Sequence, residues 1–70
     1  MQRSLTRLAE IRYQRRYSVR KAARLAVVAH SRFSDYERGG LIPTPKVQAR
    51  IAAALEVRVE DIWPAAEVAR

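Results

Sequence analysis

The chain contains no cysteine, one histidine and two glycines among its 70 residues. Without cysteine there is no disulfide to staple so small a domain, no thiolate to hold a metal and no sulfur nucleophile, a composition that fits a reducing compartment. A lone histidine with no cysteine neighbours has little claim as a metal ligand. The two glycines, Gly39 and Gly40, are adjacent, so no glycine-rich loop is available to cradle a phosphate. No apolar run approaches the roughly 20 residues of a membrane span, and arginines punctuate Met1 to Arg16 too regularly for a signal-peptide core. Nothing resembling a catalytic set remains. The expectation is a soluble intracellular protein that is not an enzyme and uses no cofactor, metal or small-molecule ligand.

What is present is apolar content of 49% and a net charge of +7, from fourteen Lys and Arg against seven Asp and Glu. One small core is expected, hence a single domain over residues 1–70. A domain of this size buries only about 60% of the surface its unfolded chain exposes, which gives self-association a physical motive. The charge is unevenly spread. Residues 1–46 hold eleven basic and three acidic side chains, a balance of +8, whereas residues 47–70 hold three basic and four acidic, a balance of −1. A basic part of this kind suits a polyanion, although arginines that merely solvate helix faces would give the same count.

Hydrophobic spacing divides the chain into five helices. Leu5, Leu8 and Ile11 recur every three residues and predict a first amphipathic helix from about Ser4 to Arg15. Ser18 is a good cap for a second helix whose inner side carries Val19, Ala22, Ala23 and Ala26, small enough to permit close crossing. A third runs from Ala29 or His30 to Glu37 with Phe33 and Tyr36 on one side, and Gly39 or Gly40 is positioned to end it in a left-handed cap. Thr44 followed by Pro45 starts a fourth, with Val47, Ile51 and Leu55 as its buried stripe. A short fifth covers Val59 to Trp63 before Pro64, the acids Glu60 and Asp61 favouring a helical turn over a strand.

The chain resembles the lambda-repressor-like, Cro-type helix-turn-helix proteins, also called the XRE family. The resemblance is carried by Leu8, Ile11 and Arg12, by Ser18 with Ala22 and Ala23, by Val28, Phe33, Tyr36, Glu37, Arg38 and Gly39, and by the stretch from Ile51 to Trp63. It implies an all-α, compact five-helix DNA-binding domain with the helix-turn-helix at about residues 18–38. It further implies a cytoplasmic regulator from a bacterial or phage-infected cell, binding operator DNA as a homodimer in the manner of a Cro or repressor protein. In such a motif the first helix crosses the phosphate backbone and the second lies in the major groove, the only groove that distinguishes all base pairs.

With Phe33 and Tyr36 inward, His30, Ser31, Ser34 and Asp35 lie toward the opposite face. The resemblance puts the principal base contacts on His30, Ser31 and Asp35, with Arg32 and Ser34 able to reach bases or flanking phosphates. Two plainer readings stay open: His30 as a surface histidine at a helix start, and Asp35 as a local partner of Arg32 or Arg38. Phosphate contacts are expected from Arg15, Arg16, Ser18, Arg20, Lys21, Arg38, Thr44 and Lys46. For Arg12 and Glu37 the resemblance implies a partly buried ion pair between helix one and the end of the recognition helix. Val59, Ile62 and Trp63, with the tail to Val68, are candidate dimer contacts, unless Trp63 simply closes the core.

The chain departs from the family pattern at three positions: Val19 replaces a common glutamine, Val27 a turn glycine and Ala29 a serine or threonine. A β-branched residue disfavours the left-handed region, so the turn at Val27 is expected to differ in detail. Two alternatives compete. The stretch from Tyr17 to Val19 and from Tyr36 to Ile42 is similar to the start of a MerR or excisionase-like winged helix-turn-helix, which would follow with a strand-forming wing. The same helical fold also serves as an antitoxin-like or adaptor module, with Leu41, Ile42 and Trp63 as an apolar contact surface.

Overall fold

Most helices in this chain begin where a side chain relieves the free amides of the first turn. In the computed structural model, which describes residues 6–64, the order is α1 (Arg7–Arg15), α2 (Val19–Ala26), α3 (His30–Arg38), α4 (Pro45–Leu55) and α5 (Val59–Ile62). Thr6 accepts a hydrogen bond from the Ala9 N–H at 3.1 Å, Ser18 from Lys21 at 3.0 Å and Thr44 from Val47 at 3.4 Å. Pro45 occupies the first position of α4, where its missing N–H costs nothing. At α5 the Asp61 carboxylate accepts from the Arg58 N–H at 3.0 Å. The first helix therefore starts at Arg7 rather than near Ser4, because Thr6 supplies its cap; Ser4 and Leu5 lie outside the described residues.

The helix ends follow one pattern. At α1, α2, α3 and α4 the residue after the helix is left-handed: Arg16 (φ 62°), Val27 (φ 58°), Gly39 (φ 81°) and Glu56 (φ 60°). In each case the next N–H reaches back across the turn, Tyr17 to Arg12 O, Val28 to Ala23 O, Gly40 to Asp35 O and Val57 to Ala52 O, at 2.9–3.2 Å. This is the Schellman arrangement. Only α3 uses a glycine for it. At the other three ends an apolar residue follows, Tyr17, Val28 or Val57, and packs against the core. That anchor, together with the satisfied carbonyls, offsets the steric cost of a left-handed side chain. The expectation that Val27 would avoid the left-handed turn is thus overturned: Val28 must reach the core and takes Val27 with it.

Among the described residues there is no strand, and α4 follows α3 directly. A winged architecture of the MerR type is therefore excluded there. The core joins all five helices: Leu8 and Ile11 from α1, Ala22, Ala23 and Ala26 from α2, Phe33 from α3, Ile51, Ala52 and Leu55 from α4, then Ile62 and Trp63. Phe33 is fully enclosed, and truncating such a side chain typically costs about 3–5 kcal/mol. The three alanines of α2 let it lie close on α4, its main neighbour, so α4 is the platform on which the second helix rests. No helix among the described residues is long and apolar enough to cross a membrane.

Candidate nucleic-acid interface

The site is the pair α2 and α3 with the turn between them, Val27 to Ala29, and three constraints fix their placement. The alanine face of α2 sets its distance from α4. Phe33 plugs α3 into the core. At the far end of α3, Glu37 is held by α1: both carboxylate oxygens accept from the Arg12 guanidinium, through Nε and through Nη2 at 3.1 Å. Arg12 also donates through Nη1 to the Tyr17 carbonyl at 2.8 Å. The Thr6 hydroxyl adds a bond to the Glu37 carbonyl at 2.7 Å. Both charged side chains are about nine-tenths covered. The hydrogen bonds that Arg12 donates to Glu37 raise its pKa above the ordinary value, outweighing the burial that lowers it.

Rotation of about 100° per residue places Ser31, Asp35 and Arg38 roughly opposite Phe33, on the outward face of α3. Ser31 and Arg32 are exposed, and Ser34 and Asp35 are half-buried. His30 is exposed at the first position of the helix but lies nearer to Phe33 around the circumference than Ser31 does. The outward face thus presents hydroxyls, one carboxylate and arginines, groups that can donate to or accept from base edges. Asp35 accepts from Arg38, the local pair that was one of its two open readings. The start of α3 has no side-chain cap, because Ala29 stands where a serine or threonine would accept from the first turn.

The cations divide into engaged and free. Arg7, Arg12, Arg15, Arg38 and Arg58 each pair with a carboxylate. Arg15 is committed to Glu56, bonding its carbonyl at 3.2 Å and approaching its carboxylate at 3.8 Å. Among the described residues no carboxylate lies within ion-pair distance of Arg16, Arg20, Lys21, Arg24, Arg32 or Lys46. All six are exposed, and α2 carries three of them with no acid. Lys21 lies 4.8 Å from the centre of the Tyr17 ring, a cation–π contact that holds its ammonium beside the start of α2. Ser18 caps that helix with its oxygen while its O–H is left to donate, and the first-turn amides around it form a region suited to an anion. Thr44 caps α4 in the same way beside exposed Lys46.

Of the candidate dimer contacts, Ile62 and Trp63 are largely spent on the chain's own core, at 3% and 9% exposure, and Val59 is half-buried; Val68 lies outside the described residues. The apolar surface that remains exposed nearby is Leu41 and Ile42. They line a cleft of about 380 Å³ with Tyr36, Ile62 and Trp63.

Three contributors escaped sequence reasoning. Thr6 ties α1 to α3, Gln48 is buried with its amide donating to Pro43 O at 3.1 Å, and Arg50 reaches the turn between α2 and α3. Thr6 carried a legible signal, a threonine three residues before Ala9 at a helix start. Gln48 and Arg50 carried none, since a polar residue within a helix reads as surface until its partners are known. No group of three or more His, Asp or Glu among the described residues could hold a metal ion. Compared with known proteins, residues 6–62 match the model of a family described as a helix-turn-helix domain. No curated protein and no solved structure gives a significant match.

Proposed function

The chain belongs to the helix-turn-helix domain family, and from that membership we propose that it is a sequence-specific, double-stranded-DNA-binding regulator of transcription, acting as a homodimer on operator DNA as a Cro or repressor protein does. The observation that carries the reading is the set of six exposed cations that have, among the described residues, neither a carboxylate partner nor, as Arg50 has, backbone carbonyls to bond. Five of them, Arg16, Arg20, Lys21, Arg24 and Arg32, belong to the helix-turn-helix or its lead-in. Solvated helix faces in a protein with no polyanionic ligand would be expected to mix signs; α2 does not.

In this reading α3 enters the major groove and Ser31, Arg32, Ser34 and Asp35, with His30 at the helix start, meet base edges. Arg32 can grip guanine through two hydrogen bonds, and Asp35 can accept from a cytosine amino group. Ser18, Arg16, Arg20, Lys21, Thr44 and Lys46 meet phosphates; Arg15 and Arg38 do so only by sharing with Glu56 and Asp35. Arg12 and Glu37 act at a distance by fixing the tilt of α3. One recognition helix reads few bases, so a two-fold dimer on half-sites about one helical turn apart supplies the missing affinity. Leu41 and Ile42 beside Trp63 are the apolar surface for it.

Selection from a pool of random duplexes, followed by sequencing, tests this. A pseudo-palindrome should emerge, and its preferred bases should shift in Ser31→Ala, His30→Ala and Asp35→Ala. Sequence-blind binding that vanishes with modest salt would sink it, leaving only an electrostatic footprint. The second reading, an antitoxin-like or adaptor module, is favoured by the same exposed pair Leu41 and Ile42, and a salt-insensitive affinity for a protein partner would distinguish it.

A further inference from the structure

The turn that separates the two helices of the motif is held from outside by an arginine of α4. Val27 lies at φ 58° and ψ 51°, the left-handed region that a β-branched residue rarely adopts, and the residue is 74% exposed, so little burial of its own holds it there. Arg50 donates through Nε to the Ala26 carbonyl at 3.1 Å and through Nη2 to the Val27 carbonyl at 3.1 Å. These two consecutive carbonyls are separated only by the φ and ψ of Val27. A rigid guanidinium fork bonded to both therefore selects the backbone conformation of that residue. The positive group also sits at the C-terminal end of α2, where the helix dipole favours it. Arg50 is in turn fixed at its base, since the adjacent Ile51 is fully buried and α2 packs along α4.

Two residues separate Val27 from the start of α3, and α3 has no side-chain cap of its own at Ala29. The conformation of Val27 thus decides where the first turn of α3 points. We propose that Arg50 is a positioning residue for DNA recognition: it clamps the valine turn in the left-handed form where this chain lacks a glycine, and so sets the aim of His30 and Ser31. This rests on the DNA-binding reading for its consequence, while the clamp itself can be tested without DNA.

The test is a double-mutant cycle of Arg50→Ala and Val27→Gly, with Arg50→Lys as a third variant, read out twice. In the free protein, denaturant unfolding and the φ-dependent amide coupling of residue 27 report the turn. Filter or anisotropy binding to the duplex selected by the intact chain reports recognition. Arg50→Ala should weaken duplex binding about tenfold in the valine chain and much less in the Val27→Gly chain, the size expected of coupled neighbours. Arg50→Lys should not restore binding, because an ammonium cannot bridge two carbonyls in fixed geometry. An equal loss in both backgrounds, or full rescue by lysine, would overturn the proposal and make Arg50 an ordinary phosphate contact. If the intact chain selects no duplex, the DNA reading fails. The unfolding cycle then still decides the clamp, since non-additivity between positions 27 and 50 supports it and strict additivity removes it.

Discussion

Glu37 receives the Arg12 guanidinium on both carboxylate oxygens, and its backbone carbonyl receives the Thr6 hydroxyl at 2.7 Å. One residue near the end of α3 is thereby fastened twice to α1. The arrangement leaves no buried side-chain nitrogen or oxygen without a partner among the described residues. Such a pair adds little net stability when intact, because taking two charges out of water costs about what their attraction returns.

Breaking it is another matter. Arg12→Ala strands the Glu37 carboxylate in a nearly closed site, and Glu37→Ala strands the guanidinium; either should destabilise the domain by about 3 kcal/mol or more. Replacing both at once with Met and Leu should cost much less than the sum. Urea unfolding of the four proteins checks this, and additive losses would count against a coupled pair. Titration of Arg12 should add no pH dependence to stability around neutral pH. The Arg12 pKa is raised, so its contribution is complete below the ordinary arginine range and is lost only as pH climbs past it.

Val27→Gly should stabilise the protein. A left-handed L-residue costs roughly 1–2 kcal/mol, while glycine in the unfolded chain gives back about 0.5–1, leaving a net gain of about 1 kcal/mol. A shift of the urea midpoint at unchanged slope is the expected reading. A loss would mean that the Val27 side chain contributes packing that its exposure does not suggest.

The cations and the outward face of α3 should separate in their salt behaviour. Arg20→Ala and Lys21→Ala should each weaken binding to all duplexes alike and lower the slope of log affinity against log salt by about 1. Ser31→Ala should leave that slope unchanged and alter which bases are preferred. Ser18→Ala combines effects, because losing the cap destabilises α2 by about 1 kcal/mol while removing a phosphate donor. Titrations at several salt concentrations on one selected and one scrambled duplex tell the classes apart.

Helix number, order and most boundaries were legible because the signals are local. Ser18, Thr44 and Pro45 mark starts, Gly39 marks an end, and the spacing of Ile51 and Leu55 marks a buried stripe. The left-handed turn at Val27 was not legible, because what holds it is known only after folding: Val28 anchored on the core, and Arg50, 23 positions away in the chain, bonded to the Val27 carbonyl. The division of arginines into paired and free was hidden for the same reason: Arg15 finds Glu56 only once α1 and α4 are packed. Charge counting could find the basic half of the chain but not which cations remain uncommitted. The outward face of α3 followed from the helical period once Phe33 was assigned to the core. The place of His30 around the helix did not follow as well, since a residue at a helix start is exposed whichever way it turns.

Leu41 and Ile42 follow the end of α3 and are 44% and 64% exposed, although they border a cleft floored by Ile62 and Trp63. Ile42→Lys removes apolar surface already in contact with water, so the folded monomer should change by no more than about 0.5 kcal/mol. If the two-fold interface runs through this patch, the same substitution buries an unpaired ammonium against its copy and should abolish self-association. Operator binding would then lose the contribution of the second half-site, and the dependence of binding on protein concentration would become that of a monomer. Sedimentation equilibrium of both proteins, with and without duplex, separates the cases. Unchanged association in the variant would move the interface elsewhere, with Val59, a valine of α5 only half-buried against the core, the next candidate.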